Sequence, residues 1–364
     1  MRRFLLVFLA LLIVFVLYAN KPEERVFAVV CEVDKPHESD PGLLVIDVTD
    51  SENPTVVDRI SLTYPLYSFN NCENCMFAVE NNNMGKSILS IFDCSNPYEI
   101  TKISSLDLGD AVGCCPCLTN NLVYVADMER GLTVVDISDR VNPVVVGCAQ
   151  CEESSEVPYA GLWESFYMDD YVFGTVMDWS ASDIDYFLSF DVSDPKNPQL
   201  IDQIKTSPFR SISLEHTGNY AYIGSDCGLM VVDISDPSNL VLLSENIITG
   251  DSRDIEIAGN HLYITQYFGY GEPAEMKIFD FSNPSDPQVV SELILSEDIM
   301  FARNIEIIDN IAYVSSDKGL AIVDVSNVYK PVLVNLVPTT QRTGYSYSAG
   351  HAFTVLKAIN IDQE

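Results

Sequence analysis

The sequence predicts an all-β protein: a seven-bladed β-propeller of four-stranded blades, preceded by an N-terminal hydrophobic helix. A strand-like phrase that ends in aspartate recurs seven times along the chain. The repeats are spaced by about 46 residues on average, which is the length of one four-stranded propeller blade. No helical periodicity follows residue 20. Together these observations predict seven homologous sheets packed around an axis.

The recurring phrase is a short apolar strand ending in Asp, with Ser or Thr two residues later in every copy. Proline follows seven residues after the aspartate in five copies. Asp and Ser side chains accept hydrogen bonds from nearby backbone N–H groups, and proline is tolerated where an outer strand begins. We therefore interpret the seven aspartates as turn formers rather than as a catalytic ring: Asp47, Asp93, Asp136, Asp191, Asp233, Asp280 and Asp324.

The segments around each aspartate strand supply the other three strands of a blade, as in residues 121–126, 254–257 and 143–146. Residues 26–30 resemble a second strand, so the first blade lacks its inner strand. We expect residues 345–348 to supply that strand and to close the ring, which removes an exposed sheet edge. Residues 352–356 resemble a surplus strand that the sequence alone does not place.

Two units carry the most complete repeat motifs. The sixth contains Arg253-Asp254-Ile255-Glu256-Ile257-Ala258-Gly259, and the seventh contains Gly319-Leu320-Ala321-Ile322-Val323-Asp324. These phrases resemble the LVIVD-repeat family of surface and secreted proteins, and the resemblance runs from about residue 25 to the C-terminus. It implies a propeller at the cell surface and does not specify an activity.

The N-terminal segment, residues 1–22, is predicted to be a signal peptide or membrane anchor. Two arginines precede an unbroken apolar run from Phe4 to Ala19. A helix of that length spans roughly 24 Å, which is shorter than a typical membrane core and fits a signal peptide. We expect residues 23–364 to form one propeller domain outside the cytoplasm, secreted or anchored to the cell envelope.

Acidic residues dominate the composition, with 53 Asp and Glu against 20 Lys and Arg and a net charge of −33. Such a chain repels phosphate backbones and anionic membranes, which argues against nucleic-acid binding and against membrane contact beyond the N-terminal segment. Solubility is the simplest explanation for this charge. We predict no cofactor. Calcium binding is the alternative, because several loops are acidic.

Candidate ligand-binding residues break the repeat symmetry on the face where the inner strands begin. Several arginines occur there in a chain poor in basic residues. Their guanidinium groups either bind an anionic ligand or form ion pairs with neighbouring acidic side chains. Aromatic residues in the longer fourth and sixth units suit a sugar or a basic peptide, or pack on their own blades. The candidates are Arg210, Arg253, Arg303, Arg342, Trp163, Trp179, Tyr267 and Tyr270.

Ten cysteines are present, and seven of them cluster in CxxC or CCxC patterns. Outside the cytoplasm disulfides are the expected state, with free thiols and a zinc site as the alternatives. The candidate disulfide residues are Cys72, Cys75, Cys114, Cys115, Cys117, Cys148 and Cys151.

Catalytic motifs are absent from the sequence: it has no nucleophile elbow, phosphate loop or dinucleotide fingerprint. The sequence therefore favours a non-enzymatic surface scaffold that binds a protein or glycan partner through one face. The alternative is an extracellular hydrolase or lyase whose anionic substrate is held by an arginine cluster at the propeller mouth.

Overall fold

A computed structural model describes residues 24–32, 42–62, 64, 66–72, 74–81, 86–109, 113–119, 121–127, 131–151, 160–178, 185–206, 211–226, 228–247, 250–269, 271–338 and 353–359. In this part of the chain, 28 β-strands form seven antiparallel four-stranded sheets. The predicted seven-bladed propeller of four-stranded blades is confirmed. The predicted N-terminal hydrophobic helix lies outside the described residues. Within them, no helix is long and apolar enough to span a membrane.

Each blade runs from an inner strand at the axis to an outer strand at the rim. The inner strands are β4 (Leu66–Cys72), β8 (Gly113–Leu118), β12 (Ala160–Met168), β16 (Ser211–Thr217), β20 (Asp251–Ala258), β24 (Ala302–Ile308) and β28 (Phe353–Ile359). The second strands are β1 (Glu24–Glu32), β5 (Cys75–Asn81), β9 (Leu122–Asp127), β13 (Tyr171–Asp178), β17 (Tyr220–Ser225), β21 (His261–Tyr267) and β25 (Ile311–Ser316).

The third strands end in the repeated aspartates and are β2 (Gly42–Asp47), β6 (Ser87–Asp93), β10 (Gly131–Asp136), β14 (Tyr186–Asp191), β18 (Gly228–Asp233), β22 (Glu275–Asp280) and β26 (Gly319–Asp324). The outer strands are β3 (Thr55–Ser61), β7 (Thr101–Gly109), β11 (Val144–Ala149), β15 (Gln199–Lys205), β19 (Val241–Ile247), β23 (Gln288–Ile294) and β27 (Val332–Pro338). We number the blades 1 to 7 in the order of their third strands.

Blade 1 is completed by both ends of the chain. Its strand order is β28, β1, β2 and β3, so the C-terminal strand lies at the axis and pairs with β1. The prediction that β1 is a second strand and that the C-terminal region closes the ring is confirmed. The closing strand is Phe353–Ile359, which corrects the expectation that residues 345–348 provide it. Residues 345–348 lie outside the described residues.

The described residues form seven hydrophobic core clusters, and each lies between two adjacent blades. One of them joins blade 7 to blade 1, so the packing continues around the whole ring. Third strands pack against a neighbouring blade on both faces, and β10 is buried along its length up to Asp136. This two-sided burial explains why these strands read as continuous apolar runs rather than as alternating ones.

The repeated turns follow the third strands. In all seven copies, the aspartate Oδ1 accepts a hydrogen bond from the backbone N–H two residues later, at 2.7–3.0 Å. A second turn begins three residues after each aspartate, where a backbone C=O accepts from the N–H three residues on. The two turns repeat with the same geometry in every blade and direct the chain into the outer strand.

Candidate functional site

The loops that precede the inner strands and the connections between second and third strands meet on one face, which we call the mouth face. In blade 7, Asp317 lies in the β25–β26 connection. Its Oδ1 accepts hydrogen bonds from the backbone N–H groups of Met300 and Phe301, at 3.1 and 3.2 Å. The Asp317 N–H donates to the Phe301 C=O at 3.0 Å. These three bonds attach the loop before β24 to the adjoining connection.

A β-bulge interrupts the inner strands near the mouth face. In β20 the pairing with β21 steps from Ser252 to Asp254, which leaves Arg253 as the extra residue. In β24 the corresponding irregularity spans Arg303, and in β12 it leaves Trp163 unpaired in the ladder. A bulge redirects the side chain of its extra residue, and this extra residue is arginine in blades 6 and 7 and tryptophan in blade 4.

Arg253 is held by two neighbours on its own blade. Its Nη2 lies 2.7 Å from Asp251 Oδ2, and the two side chains are 31% and 32% exposed. Its guanidinium carbon lies 5.1 Å from the centroid of the Tyr267 ring, in a cation–π contact. The ion pair lowers the net positive charge that Arg253 presents, while the planar guanidinium keeps its position over the ring.

Tyr267 and Phe301 extend this contact from blade 6 to blade 7. Their ring centroids are 4.6 Å apart with an interplanar angle of 19°, so the rings are stacked. Arg253, Tyr267 and Phe301 thus form a continuous stack across two blades, and we call these three residues the blade 6–7 platform. All three are half-buried, so part of the platform faces solvent at the mouth.

Two polar side chains lie next to the platform residues in β20 and β21. Ser252 and Gln266 are cross-strand partners and are fully buried. Within the described part of the chain, Ser252 Oγ and Gln266 Oε1 have no hydrogen-bond partner. Buried polar atoms are normally satisfied by protein groups or water, so this region has unused hydrogen-bonding capacity.

Arg303 joins blade 7 to blade 6 through its backbone. Its C=O accepts a hydrogen bond from Thr265 Oγ1 at 2.6 Å, and its side chain is half-buried. The neighbouring Asp254 makes a similar link, because its Oδ2 accepts from the Ile305 N–H at 2.8 Å. These links fix the position of β20 relative to β24 at the mouth face.

Among the described candidates, Trp163 does not join this site. Trp163 is 2% exposed and packs in the core between blades 3 and 4, so it is a packing residue in this fold rather than part of an accessible surface. Arg210, Arg342, Trp179 and Tyr270 lie outside the described residues. Sequence reasoning missed Phe301, Asp251 and Asp317. The one available signal was their position in the loops that flank Arg253 and Arg303.

Cysteines contribute no disulfide within the described residues. Cys75, Cys117, Cys148 and Cys151 are not in disulfides, so the predicted bridges are not found at these positions. Burial raises the pKa of Cys117 and of Cys151 to about 12, which keeps both protonated at neutral pH. The side chains of Cys72, Cys114 and Cys115 lie outside the described part. Across the side chains that are described, no group of His, Cys, Asp and Glu is arranged to hold a metal ion.

Sequence comparison identifies the repeat. The LVIVD repeat matches residues 118–150, 210–246, 249–293 and 301–339. The predicted LVIVD resemblance is therefore confirmed, and the last two segments contain the blade 6–7 platform. No curated protein sequence matches this chain.

Several solved structures share the fold at low sequence identity. The periplasmic gluconolactonase PpgL of Pseudomonas aeruginosa superposes with a TM-score of 0.69 at 13% identity, covering 92% of this chain and 99% of that one. A putative 6-phosphogluconolactonase from Bacteroides fragilis gives 0.69 at 12% identity, with coverage of 91% and 98%. A hypothetical selenium-binding protein from Sulfolobus tokodaii gives 0.65 at 12%, with 86% and 90%. At these identities the similarity establishes the fold alone.

Proposed function

We propose that this LVIVD-repeat propeller is a non-enzymatic binding protein that works outside the cytoplasm and takes a glycan at its mouth face. The observation that carries the proposal is the blade 6–7 platform. This half-buried cluster brings two aromatic rings, a guanidinium and the Asp251 carboxylate together at the mouth face. A pyranose ring has the matching chemistry, with C–H groups on its faces and hydroxyls around its rim.

The ion pair of Arg253 favours a glycan over a strongly anionic ligand. Asp251 lies 2.7 Å from the guanidinium and already occupies one of its hydrogen-bonding edges. A phosphate or carboxylate would have to displace Asp251 and approach a chain with a net charge of −33. A neutral sugar avoids both costs and uses Asp251 as an acceptor for its hydroxyls.

The location outside the cytoplasm is supported by the apolar N-terminal run between Phe4 and Ala19 and by the periplasmic location named for one protein of the same fold. A surface or secreted position would place the mouth face in contact with envelope or extracellular glycans. Protein partners are the competing ligand class, and a glycan array distinguishes the two.

Binding of the purified protein to an array of neutral and acidic glycans tests this proposal. We expect saturable binding to a restricted set of glycans. Tyr267→Ala and Phe301→Ala should each weaken it by about tenfold, because a stacking contact contributes up to roughly 1.5 kcal/mol. Tyr329→Ala is the matched control, since Tyr329 is 70% exposed in the turn before β27, away from the mouth face. Absence of glycan binding, or equal loss in the control, would contradict the proposal.

The second candidate is an extracellular hydrolase or lyase for an anionic substrate. Its support is the placement of Arg253 and Arg303 at equivalent bulges of adjacent blades. Two proteins of this fold are described as a gluconolactonase and a putative 6-phosphogluconolactonase. A panel of lactones and sugar phosphates assayed for turnover tests it. Turnover that is lost in both Arg253→Lys and Arg303→Lys would establish this candidate in place of the first.

A further inference from the structure

Outer strands carry a side chain that bonds to the turn of the next blade. It stands eleven residues after the repeated aspartate, as Ser104 follows Asp93. Ser104 Oγ donates a hydrogen bond to the Arg140 C=O of blade 3 at 2.6 Å. Ser291 Oγ of blade 6 donates in the same way to the Val328 C=O of blade 7 at 2.5 Å. Both acceptors stand four residues after the aspartate of their own blade, so fixed positions of the repeat connect one blade to the next.

The same outer-strand position contacts the next blade in three further blades. Asn335 Nδ2 of blade 7 donates to the Glu52 C=O of blade 1 at 2.9 Å. Asp202 Oδ2 of blade 4 accepts from a backbone N–H of blade 5 at 2.7 Å. In blade 3 the position is Gly147, where an added Cβ would collide with the Pro195 C=O of blade 4. In these five blades, therefore, the position lies in direct contact with the next blade.

Blade 5 departs from this pattern. Its residue at the position is Ser244, which pairs with Val231 in the sheet just as Ser291 pairs with Ile278. The repeat places the Pro284 C=O of blade 6 where the acceptor would be. Ser244 Oγ is buried, and within the described residues it has no hydrogen-bond partner. The hydroxyl is thus in register for the inter-blade bond but does not make it.

Further buried polar atoms lie at the junction of blades 5 and 6, closer to the mouth face. Ser213 of blade 5 and Ser252 and Gln266 of blade 6 are fully buried. An added Cβ at Gly224 of blade 5 would touch both Ser213 Oγ and Ser252 Cβ, so the two serines meet across the junction. Ser252 pairs with Gln266 in the blade 6 sheet. Across the described part of the chain, Ser213 Oγ, Ser252 Oγ and Gln266 Oε1 have no hydrogen-bond partner, and buried groups of this kind need one.

We propose that the junction of blades 5 and 6 binds internal water at two places. One water bridges Ser244 Oγ to the Pro284 C=O and takes the place of the direct bond found in other blades. The second water lies between Ser213 Oγ, Ser252 Oγ and Gln266 Oε1, near the mouth face. Water fits both places because it donates and accepts hydrogen bonds, and because these atoms are buried too deeply for a larger ligand.

A high-resolution crystal structure of the unsubstituted chain tests both water sites. We expect one water oxygen about 2.7–3.2 Å from Ser244 Oγ and from the Pro284 C=O, and a second at that distance from at least two of the three mouth-side atoms. Ser104 and Ser291 are the internal controls, because their hydroxyls should bond directly to the next blade. A direct bond from Ser244 Oγ to blade 6 would overturn the first site. Well-ordered side chains with no water among the mouth-side atoms would overturn the second.

Matched serine variants test the Ser244 site in solution. Ser291→Ala removes a direct inter-blade bond and should lower the urea midpoint of unfolding by about 0.3 M, the shift expected for one net hydrogen bond in a domain of this size. Ser244→Ala removes a hydroxyl bound to water, and the released water regains its freedom of motion. Its midpoint should therefore fall by less than about half as much. Equal shifts in the two variants would show that Ser244 makes a direct bond and would overturn its water site.

Discussion

Asp317 is expected to hold the loop that carries Phe301, and its replacement by alanine should weaken both stability and ligand binding. In Asp317→Ala the N–H groups of Met300 and Phe301 lose their shared acceptor. The Asp317 side chain is 12% exposed, so water replaces the carboxylate only in part. A hydrogen bond to a charged group contributes roughly 1.5–3 kcal/mol when well formed, and these two are long. We therefore expect a loss of about 2 kcal/mol in the free energy of unfolding.

Urea unfolding monitored by fluorescence and circular dichroism measures this change, and a glycan found on the array measures the loss of affinity. Asp317→Asn is the matched control, because it removes the charge but keeps an oxygen at the Oδ1 position. It should keep most of the stability and most of the affinity. If Asp317→Asn is as destabilised as Asp317→Ala, the ion pair between Asp317 and Lys318, at 3.5 Å, would be the dominant contact and the reasoning would be wrong.

Two further predictions concern the repeat itself. The serine hydroxyl and the backbone N–H that donate to Asp93, Asp136, Asp191 and Asp324 lower the pKa of each carboxyl. A carboxyl whose pKa is lower in the folded state stabilises the fold above the unfolded-state pKa of about 3.9, and this stabilisation is lost as pH falls through the folded-state pKa. Circular dichroism should therefore show acid unfolding only below about pH 4. Unfolding between pH 6 and 5 would contradict this expectation. Gly319 has φ +133°, and an added Cβ would collide with the Val337 C=O. Gly319→Ala should therefore lower the free energy of unfolding by about 3 kcal/mol. Gly259→Ala is the control and should lower it by about 1 kcal/mol, because φ is +61° there and no atom lies near the added Cβ. Equal losses of unfolding free energy in a denaturant titration would refute the steric explanation.

The blade architecture was predictable because its signals are local and repeated. An apolar run ending in Asp, followed two residues later by Ser or Thr, specifies the strand and the turn that the structure shows in every blade. The second turn of each repeat was missed, although its signal is present: an Asp or Asn stands three residues after each repeated aspartate, as at Asp139 and Asn327.

The ring closure was only partly predictable because it depends on long-range pairing. Residues 345–348 and 353–359 both alternate as strands do, and local pattern does not decide which of them pairs with β1. The register decides it: Phe27 faces Leu356, and Val29 faces Thr354. A one-residue slip would replace every one of these backbone pairs, so the two strands meet in a single register.

The candidate site was predictable residue by residue but not as a cluster. The symmetry-breaking Arg253 and Tyr267 were identified from sequence, and they are in contact. Phe301 arrives from the next blade, so its stacking on Tyr267 is a tertiary contact without a local signal. Trp163 illustrates the opposite error, because its position in the chain matches Arg253 while its side chain packs in the core. Composition at a bulge does not reveal which way the bulge directs the side chain.

The mouth face exists as a single surface only if the C-terminal strand closes the ring. Hydrogen exchange followed by mass spectrometry tests this directly, because β28 at the axis has its backbone groups bonded to β1. We predict that peptides covering residues 353–359 exchange as slowly as those from β20 and β24. Exchange of residues 353–359 at the rate of an unstructured chain, with β1 exchanging as an edge strand, would contradict the closed propeller and the site built on it.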